Sequence, residues 1–333
     1  MSRMIADMRV SDVGLGCMGF SHAYGAAMER TEAVRMLRRA YEMGYTFFDT
    51  AECYIGEYAD GAEAVNEDVV GEALEPIRDH VTLATKCGVQ HLPEHKELRD
   101  SRPQEIRRAV EGSLRRLRTD CIDLYYQHRI DVNVPPEQVA ATMAELIREG
   151  KIRHWGISEV GEDYLRRAHA VCPVAAVQNC YSMIYREDDA LFPTLEELGV
   201  AYVSYSPLAN GLLSAAFDMG FTSPLDHRTR MAQFKPQGLE QSRELLDLLR
   251  NVAEQHGAKP SQVALAWMMC KKPYIIPIPG TRKEARLREN LAATTLNLSP
   301  ADLAAIDTHL DTMDFHPIGG TKARSTTDNQ RLS

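Results

Sequence analysis

The sequence has no apolar run long enough to cross a membrane and no apolar segment of the kind that directs secretion. A membrane-spanning helix needs about 20 consecutive apolar residues, and a secretory signal places a shorter apolar core behind a basic N-terminus. Because neither pattern is found, we expect a protein that is neither secreted nor inserted in a membrane.

The seven cysteines form no Cys-x-x-Cys pair, and their number is odd. Scattered, reduced thiols are typical of cytosolic proteins, so we predict a cytoplasmic location. Cys17, Cys53 and Cys87 each adjoin a predicted strand end. A role as small, polarizable filler is favoured for them over a redox or metal role.

Excess positive charge is also lacking, because the net charge is −9 and the short arginine runs fall on predicted helices. Without a basic stripe to neutralise phosphates, nucleic acid is not an expected partner. No His-x-His pair is present either, and a nearby lysine would disfavour a cation, so we expect no metal site. The oligomeric state cannot be read from the sequence.

What the sequence does contain is a regular alternation of strand and helix patterns, with 44% apolar residues to fill a core. This alternation predicts a parallel sheet with crossover helices. An open dinucleotide-binding sheet is the main rival, but no Gly-x-Gly-x-x-Gly motif opens a predicted helix. Eight strands in one series favour a single α/β domain over 1–333, a closed (β/α)8 TIM barrel. The predicted strands are 13–18, a run ending at Asp49, 81–86, 121–128, 152–158, 175–179, 200–206 and 274–278.

Helices are predicted between these strands, and an added C-terminal helix follows the last unit. One helix is capped by Thr31 and ended by Gly44, another begins at Asn66, and a third opens with a capping box at 101–104. The further helices are predicted at about 135–150, 161–171, 187–198, 239–256, 261–270, 283–294 and 300–310.

Two segments do not fit the regular series. About seventy residues separate the seventh and eighth strands, and the polar stretch 209–237 within them is predicted to be a flap over a cofactor or substrate. The tail from about 316 to 333 has the composition of a mobile end.

Four chemically distinctive side chains stand at or just after predicted strand ends: Asp49, Tyr54, Lys86 and His128. In a barrel the C-terminal ends of all strands meet at one face, so these side chains should converge. A nearby ammonium group makes a phenol more acidic, an aspartate would hold that ammonium group, and a histidine would orient a carbonyl oxygen. This combination predicts a proton-donor site for carbonyl reduction.

These residues belong to a series of motifs that resembles the aldo-keto reductase superfamily over roughly residues 8–310. The resemblance implies the tetrad Asp49, Tyr54, Lys86 and His128, and NADP as cofactor. The motifs are Asp49-Thr50-Ala51-x-x-Tyr54, Ala84-Thr85-Lys86, Gln127-His128, Gly156-Ile157-Ser158, Gln178-Asn179, Tyr205-Ser206-Pro207-Leu208, and Ile278-Pro279-Gly280-Thr281-Arg282 continuing to Glu289-Asn290.

The resemblance also implies a set of nicotinamide and pyrophosphate contacts. Ser158, Gln178 and Asn179 correspond to groups that bind the carboxamide, and Tyr205 to the aromatic that stacks on the nicotinamide ring. The first-strand segment beside the nicotinamide and the loop along the pyrophosphate correspond to Gly16, Cys17, Met18, Ser206, Leu208 and Gly211.

The segment from Gly280 to Asn290 places a hydroxyl group and several cations at the start of a predicted helix, where backbone N–H groups favour anions. A guanidinium group suits a phosphate. Thr281, Arg282 and Arg286 therefore match a site for the 2′-phosphate of NADP, and Glu289 and Asn290 a site for adenine. A solvated surface is favoured for the other cations of this segment.

Two features depart from the usual family pattern. Ile55 stands where glycine commonly follows the tyrosine, and 56–65 resembles an insertion. Met18 stands where many members have an aromatic residue. Both changes affect the expected shape of the substrate pocket.

The sequence thus predicts an NADP-dependent oxidoreductase that transfers a hydride from NADPH to an aldehyde or ketone. Two alternatives remain at this level. The same fold also serves as a nucleotide-sensing regulatory subunit in the potassium-channel β subunits, which resemble these reductases, and such a protein would bind NADPH tightly and turn over slowly. A metal-dependent barrel hydrolase is the more distant alternative.

Overall fold

A computed structural model describes residues 3–92, 97–215 and 226–313 of the 333-residue chain. Eight parallel strands form one sheet in which each strand pairs with its neighbour in sequence. The N–H group of Gly14 donates to the carbonyl oxygen of Pro277 at 2.9 Å and joins the first strand region to the last. The predicted (β/α)8 barrel is confirmed. Its strands are β1 (Leu15–Gly16), β2 (Phe47–Asp49), β3 (Thr82–Cys87), β4 (Ile122–Gln127), β5 (Ile152–Ser158), β6 (Ala176–Cys180), β7 (Ala201–Tyr205) and β8 (Ile275–Pro277).

The helices surround the sheet and pack on it through buried aliphatic and aromatic side chains. Most lie where the apolar periodicity predicts them, and a further helix after the eighth unit is present as predicted. They are α1 (Arg30–Met43), α2 (Asn66–Leu74), α3 (Pro103–Leu117), α4 (Pro136–Arg148), α5 (Glu162–Val171), α6 (Phe192–Leu198), α7 (Pro236–Gln255), α8 (Pro260–Lys271), α9 (Glu284–Ala292) and α10 (Pro300–Thr312).

Two predicted helix starts are wrong. The side chain of Glu29, rather than Thr31, caps α1 by accepting from the N–H group of Glu32. No side chain caps α3, which begins at Pro103. Ser101, the expected cap of α3, instead accepts a hydrogen bond from the Gln127 side chain at 3.0 Å. Buried polar groups inside the barrel compete for short hydroxyl side chains, and local sequence patterns do not show this competition.

An antiparallel hairpin precedes the barrel and was not predicted. Its strands are Arg3–Ile5 and Met8–Val10. Ile5 is buried with Phe47 and with other side chains that fill the barrel interior. This apolar packing covers the N-terminal end of the barrel, and the C-terminal face carries the polar side chains described below.

Two more hairpins extend loops of the C-terminal face. The first pairs Ile55–Glu57 with Glu63–Val65, which is the predicted insertion. The second pairs Val89–His91 with Glu97–Arg99. Both lie close to the candidate tyrosine in sequence or space, so they shape the wall around it.

The predicted flap is only partly described. Residues 209–214 form 3-10 helical turns, and Asp226 forms an isolated bridge with Tyr24 in the loop after β1. The far end of the flap segment therefore contacts the first loop across the C-terminal face. The middle of the flap, 216–225, and the predicted mobile tail lie outside the described residues.

Within the described ranges, no helix is both long and apolar enough to cross a membrane.

Candidate active site

Asp49 and Lys86 form a buried ion pair on neighbouring strands at the C-terminal face. Lys86 Nζ lies 2.5 Å from Asp49 Oδ1 and donates to the carbonyl oxygen of Thr50 at 2.8 Å. Both side chains are buried, so each charge depends on the other and on these hydrogen bonds. The barrel thus holds an ammonium group at a fixed position.

The second carboxylate oxygen of Asp49 accepts a hydrogen bond from Gln178 Nε2 at 2.7 Å. Burial raises the pKa of Asp49, while Lys86 and Gln178 act in the opposite direction. For Lys86, burial acts to lower the pKa, but attraction to Asp49 and then to Tyr54 outweighs it, and the pKa is raised. Lys86 therefore stays charged at neutral pH.

Tyr54 lies in the loop after β2, and its hydroxyl group is 3.3 Å from Lys86 Nζ. Burial raises the pKa of Tyr54; Lys86 lowers it, and Asp49 raises it further, so that the net pKa is above its usual value. The expectation that Lys86 lowers the pKa of this phenol is correct for the interaction of Lys86 with Tyr54. It is wrong for the net pKa of Tyr54, which burial and Asp49 raise. Tyr54 carries its proton at neutral pH.

His128 follows β4 directly, and its backbone N–H group donates to the carbonyl oxygen of Cys87 at 2.9 Å. Its ring stands edge-on to the Tyr54 ring, with centroids 5.7 Å apart and planes at 83°. Burial, with help from the charges of Arg129 and Lys86, lowers the pKa of His128 well below 6.5. The ring is therefore neutral and donates only from the nitrogen that carries its proton.

Asn66 anchors the loop that carries Tyr54. Its backbone N–H group donates to the Tyr54 carbonyl oxygen at 3.0 Å. Its side chain accepts from Thr50 Oγ1 at 2.6 Å and donates to Ser21 Oγ at 2.7 Å. Because Asn66 is fully buried, loss of these bonds would leave polar groups unsatisfied. The first residue of α2 therefore fixes the position of the phenol.

The predicted carboxamide contacts differ in their surroundings. Ser158 Oγ accepts from Arg129 Nη1 at 3.2 Å at the end of β5. The Asn179 amide is already engaged: its oxygen accepts from the N–H group of Val160 at 3.1 Å, and its nitrogen donates to Asp188 Oδ2 at 2.7 Å. Cofactor contact by Ser158 and Asn179 remains a prediction, and in Asn179 the amide also supports the loop after β5.

The predicted pyrophosphate loop has an unusual backbone. Tyr205 ends β7 and is half-buried, as is Leu208. The angle φ is 51° at Ser206, 57° at Asn210 and 102° at Gly211. Glycine adopts such values freely and asparagine readily, but serine does so rarely, and the Ser206 conformation costs about 1–3 kcal/mol. Strain of this kind is concentrated at functional sites, which supports a role for this loop.

The first-strand segment lies against the start of the eighth βα loop. A Cβ atom on Gly280 would lie 2.8 Å from the carbonyl oxygen of Gly16, and one on Gly16 would lie 2.8 Å from the carbonyl oxygen of Ile278. Both positions therefore need glycine for backbone packing, whatever binds there. Cys17 is fully buried, and Met18 opens the 3-10 helical turn Met18–Phe20.

A cavity of about 480 Å³ lies between the end of the 3-10 turn after β7 and the first turns of α8 and α9. Its volume is in the usual range for a small-molecule site. Three of its side chains are cationic, and one is a carboxylate. The cavity is lined by Ser214, Ala215, Arg250, Lys259, Pro260, Ala285, Arg286 and Glu289.

Two of the residues predicted to bind the adenosine end line this cavity. Arg286 Nη1 pairs with Glu289 Oε1 at 2.5 Å, and the same oxygen accepts from Ser261 Oγ. Asn290 is buried on the same helix. Arg286 is therefore oriented by Glu289, at the edge of a space that could take an anion.

Arg282 lies against the loop after β1 and not at this cavity. Its guanidinium group donates to the carbonyl oxygens of Gly19 and of Ala26, the latter at 2.8 Å. The buried Nη2 atom of Arg282 has no hydrogen-bond partner among the described residues. Thr281 Oγ1 accepts from the N–H group of Lys283 at 3.1 Å. Arg282 thus supports the loop after β1 and is not among the cavity-lining residues, although the sequence alone predicts Thr281 and Arg282 as partners of one phosphate.

A model of the aldo/keto reductase family matches residues 12–311, which is most of the chain. This chain belongs to the aldo/keto reductase family. Among curated relatives, the probable aldo-keto reductase 1 of Glycine max is 35% identical over 301 residues, which are 89% of this chain and 84% of that protein.

Solved structures of other proteins agree with this aldo/keto reductase assignment. A glycerol dehydrogenase from Gluconobacter oxydans is 28% identical, with a TM-score of 0.84 over 96% of this chain and 98% of that chain. An aldo/keto reductase from Klebsiella pneumoniae in complex with NADP and acetate is 28% identical, with a TM-score of 0.71 over 92% of this chain and 94% of that one.

Several residues of this candidate site were not predicted in these positions from the sequence. They are Cys53 beside His128, Asn66 beneath Tyr54, Arg129 beside Ser158, and Arg250 and Lys259 at the cavity. Each depends on a contact between distant segments that no local pattern shows. Only Lys259 had a local signal, because a cation directly before the proline that opens a helix lies near N–H groups that attract anions.

Proposed function

We propose that this aldo/keto reductase reduces the carbonyl group of an aldehyde or ketone to an alcohol, with NADPH as the hydride donor. The observation that carries this proposal is the hydroxyl group of Tyr54, a protonated phenol 3.3 Å from the ammonium group of Lys86. Asp49 holds that ammonium group, and the neutral ring of His128 stands beside the phenol.

The residues present suit NADPH. The three cations Arg250, Lys259 and Arg286 surround one cavity, which fits a phosphate on the adenosine end better than the uncharged ribose of NADH. The similar Klebsiella pneumoniae protein was crystallised with NADP. We assign this cavity to the 2′-phosphate and adenine, with Ser158 and Tyr205 at the nicotinamide end.

When bound, NADPH supplies the hydride for the carbonyl carbon. The chain's own residues then act on the carbonyl oxygen. Tyr54 transfers its hydroxyl proton to that oxygen as negative charge develops there, and the new O–H bond completes the alcohol. Lys86 stabilises the phenolate that remains. His128 donates a hydrogen bond to the same oxygen and orients it, as a neutral imidazole can.

Two histidine rings lie beside the phenol, and we propose that they form one wall of the substrate pocket. The His22 ring stacks on the Tyr54 ring with centroids 6.1 Å apart, and on the His91 ring with centroids 5.0 Å apart. Exposed Ile55 adds an apolar side chain to this wall. We therefore expect aromatic aldehydes to be better substrates than sugars.

A screen for NADPH oxidation tests the proposed function. Aliphatic, aromatic, sugar and dicarbonyl substrates are compared, and alcohol product is quantified against NADPH consumed. We expect equal amounts of alcohol and oxidised cofactor, with the highest kcat/KM for aromatic aldehydes. Tight NADPH binding with no turnover on any substrate would contradict the proposal and favour a nucleotide-sensing subunit.

A further inference from the structure

We propose that Cys53 is a positioning residue for His128. Its thiol donates a hydrogen bond to Nδ1 of the ring and thereby holds the proton of the neutral imidazole on Nε2. The inference rests on the function proposed above, in which His128 donates to the carbonyl oxygen of the substrate.

The contact itself is direct. Cys53 Sγ lies 3.4 Å from His128 Nδ1, and both residues are buried. Among the described residues, no other side chain or backbone group forms a hydrogen bond with this ring. Cys53 is thus the one described group that distinguishes the two ring nitrogens.

The direction of the hydrogen bond follows from the two protonation states. Burial raises the pKa of the Cys53 thiol to about 12, so the sulfur keeps its hydrogen in the neutral range. The lowered pKa of His128 leaves the ring with a single proton. A thiol donates weakly, and an unprotonated ring nitrogen accepts. The arrangement S–H to Nδ1 therefore places the ring proton on Nε2.

The tautomer matters because a neutral histidine has only one N–H group. With the proton on Nδ1, the N–H group would point at the thiol, and Nε2 would present a lone pair to the oxygen that needs a donor. A partner on one ring nitrogen commonly decides which nitrogen carries the proton. Here that partner directly precedes Tyr54 in sequence. The short loop that carries Cys53 and Tyr54 therefore supplies one donor to the carbonyl oxygen, the Tyr54 hydroxyl group. It also fixes the tautomer of the other donor, His128.

Nitrogen-15 NMR of histidine-labelled protein tests the assignment without any substrate or cofactor. The His128 signals are identified as those lost in His128→Gln. In the wild type we expect an unprotonated Nδ1 and a protonated Nε2. In Cys53→Ala both signals should move toward averaged positions because the two tautomers mix, and Cys53→Ser, which keeps a donor, should resemble the wild type. A wild-type proton on Nδ1, or an unchanged spectrum in Cys53→Ala, would overturn the assignment.

Kinetics give a second readout. Because the donated hydrogen bond strengthens as charge develops on the oxygen, we expect Cys53→Ala to lower kcat about three- to tenfold with little change in KM or in NADPH affinity. Cys53→Ser should recover most of the loss. Cys172→Ala is the matched control, since Cys172 has the same 6% exposure as Cys53 and lies at the end of α5. It should leave both kcat and the His128 spectrum unchanged, and an equal loss in both alanine variants would contradict the proposal.

The two proposals fail differently. If the wild type reduces carbonyls but its His128 proton lies on Nδ1, only the role of Cys53 is wrong. If no substrate is reduced while the spectra behave as expected, the proposed function is wrong and the tautomer assignment stands.

Discussion

Tyr54 is a weaker acid in this barrel than in water, because burial raises its pKa more than the charge of Lys86 lowers it. At the scale of the single residue, the raised pKa of Tyr54 favours carbonyl reduction. In that direction the phenol gives up its proton late, to an oxygen that is becoming negative. In the proposed mechanism, Lys86 then stabilises the phenolate after proton transfer instead of creating it beforehand. The ion pair with Asp49 keeps the ammonium group in place for that step.

This electrostatic arrangement predicts different pH profiles for the two directions. Between about pH 6 and pH 9 carbonyl reduction should change little, because Tyr54 stays protonated and His128 stays neutral. Alcohol oxidation needs the phenolate and should rise about tenfold per pH unit over the same range. Initial rates in both directions measure this. A reduction rate that halves near neutral pH would contradict a buried, protonated donor.

The proposed cofactor site gives a second prediction at the residue scale. Lys259→Met and Arg286→Met should each weaken NADPH binding about tenfold and change NADH binding little, since each removes a cation suited to the 2′-phosphate. Fluorescence titration with both nucleotides measures the difference. Equal weakening of NADPH and NADH in Lys259→Met or Arg286→Met would contradict the assignment of the cavity.

Arg282→Met is the matched control for this cofactor prediction. The sequence alone predicts a loss specific to NADPH at this position. The structure predicts another result, because Arg282 holds the carbonyl oxygens of Gly19 and Ala26 in the loop after β1. Both nucleotides should be weakened alike in this variant. A loss of affinity confined to NADPH would instead support the assignment of Arg282 to the 2′-phosphate site.

The comparison of Arg282 with Arg286 shows what the sequence can and cannot predict about single residues. The positions of Asp49, Lys86 and His128 follow from strand ends, which a sequence pattern locates well. The direction of a long arginine side chain does not, since it depends on which carbonyl oxygens a distant loop presents. For the same reason the contact of Cys53 with His128 had no sequence signal.

At the scale of the element, close backbone contacts decide which helix positions tolerate a side chain. Gly71 lies in the middle of α2, where alanine would normally strengthen a helix by about 0.5–1 kcal/mol. In this barrel a Cβ atom on Gly71 would lie 2.3 Å from the carbonyl oxygen of Arg116 and 2.7 Å from Cα of Leu117. These are backbone atoms at the end of α3, so they cannot move independently.

We therefore expect Gly71→Ala to lower the free energy of unfolding by about 2 kcal/mol or more. Gly112→Ala is the control, because the nearest contacts of its Cβ atom would be only the tip of the Arg116 side chain, which can adjust while it keeps its ion pair with Glu67, and no backbone atom. That variant should change stability by less than about 1 kcal/mol. Denaturant unfolding of both proteins measures the difference, and a stabilised Gly71→Ala protein would show that the two helices can separate at little cost.

Helices with a clear apolar stripe, such as α3 and α7, were predictable to within a few residues. Their first turns were not, because the cap of α1 and the start of α3 depend on hydrogen bonds made elsewhere. The hairpin from Arg3 to Val10 had no signal either. Its short strands become favourable only when Ile5 and its neighbours meet the filled interior of the barrel.

At the scale of the whole molecule, the barrel brings side chains from the ends of consecutive strands together at one face. Asp49 and His128 are far apart in sequence, yet both lie at one face because every strand runs in the same direction. That convergence was predictable from the alternation of strands and helices. The shape of the substrate wall was not, because it comes from hairpins and loops whose conformations depend on mutual contacts. The N-terminal hairpin packs at the opposite end of the barrel, away from the candidate site.

Single-turnover reduction by Tyr54→Phe tests the central claim most directly. The variant loses only the hydroxyl group, so the fold and NADPH affinity should match the wild type. The rate of alcohol formation from bound NADPH and substrate should fall about 10²- to 10⁴-fold, the range expected for loss of a positioned general acid. Alcohol formation at the wild-type rate, with NADPH bound and the barrel intact, would contradict the assignment of Tyr54 as the proton donor.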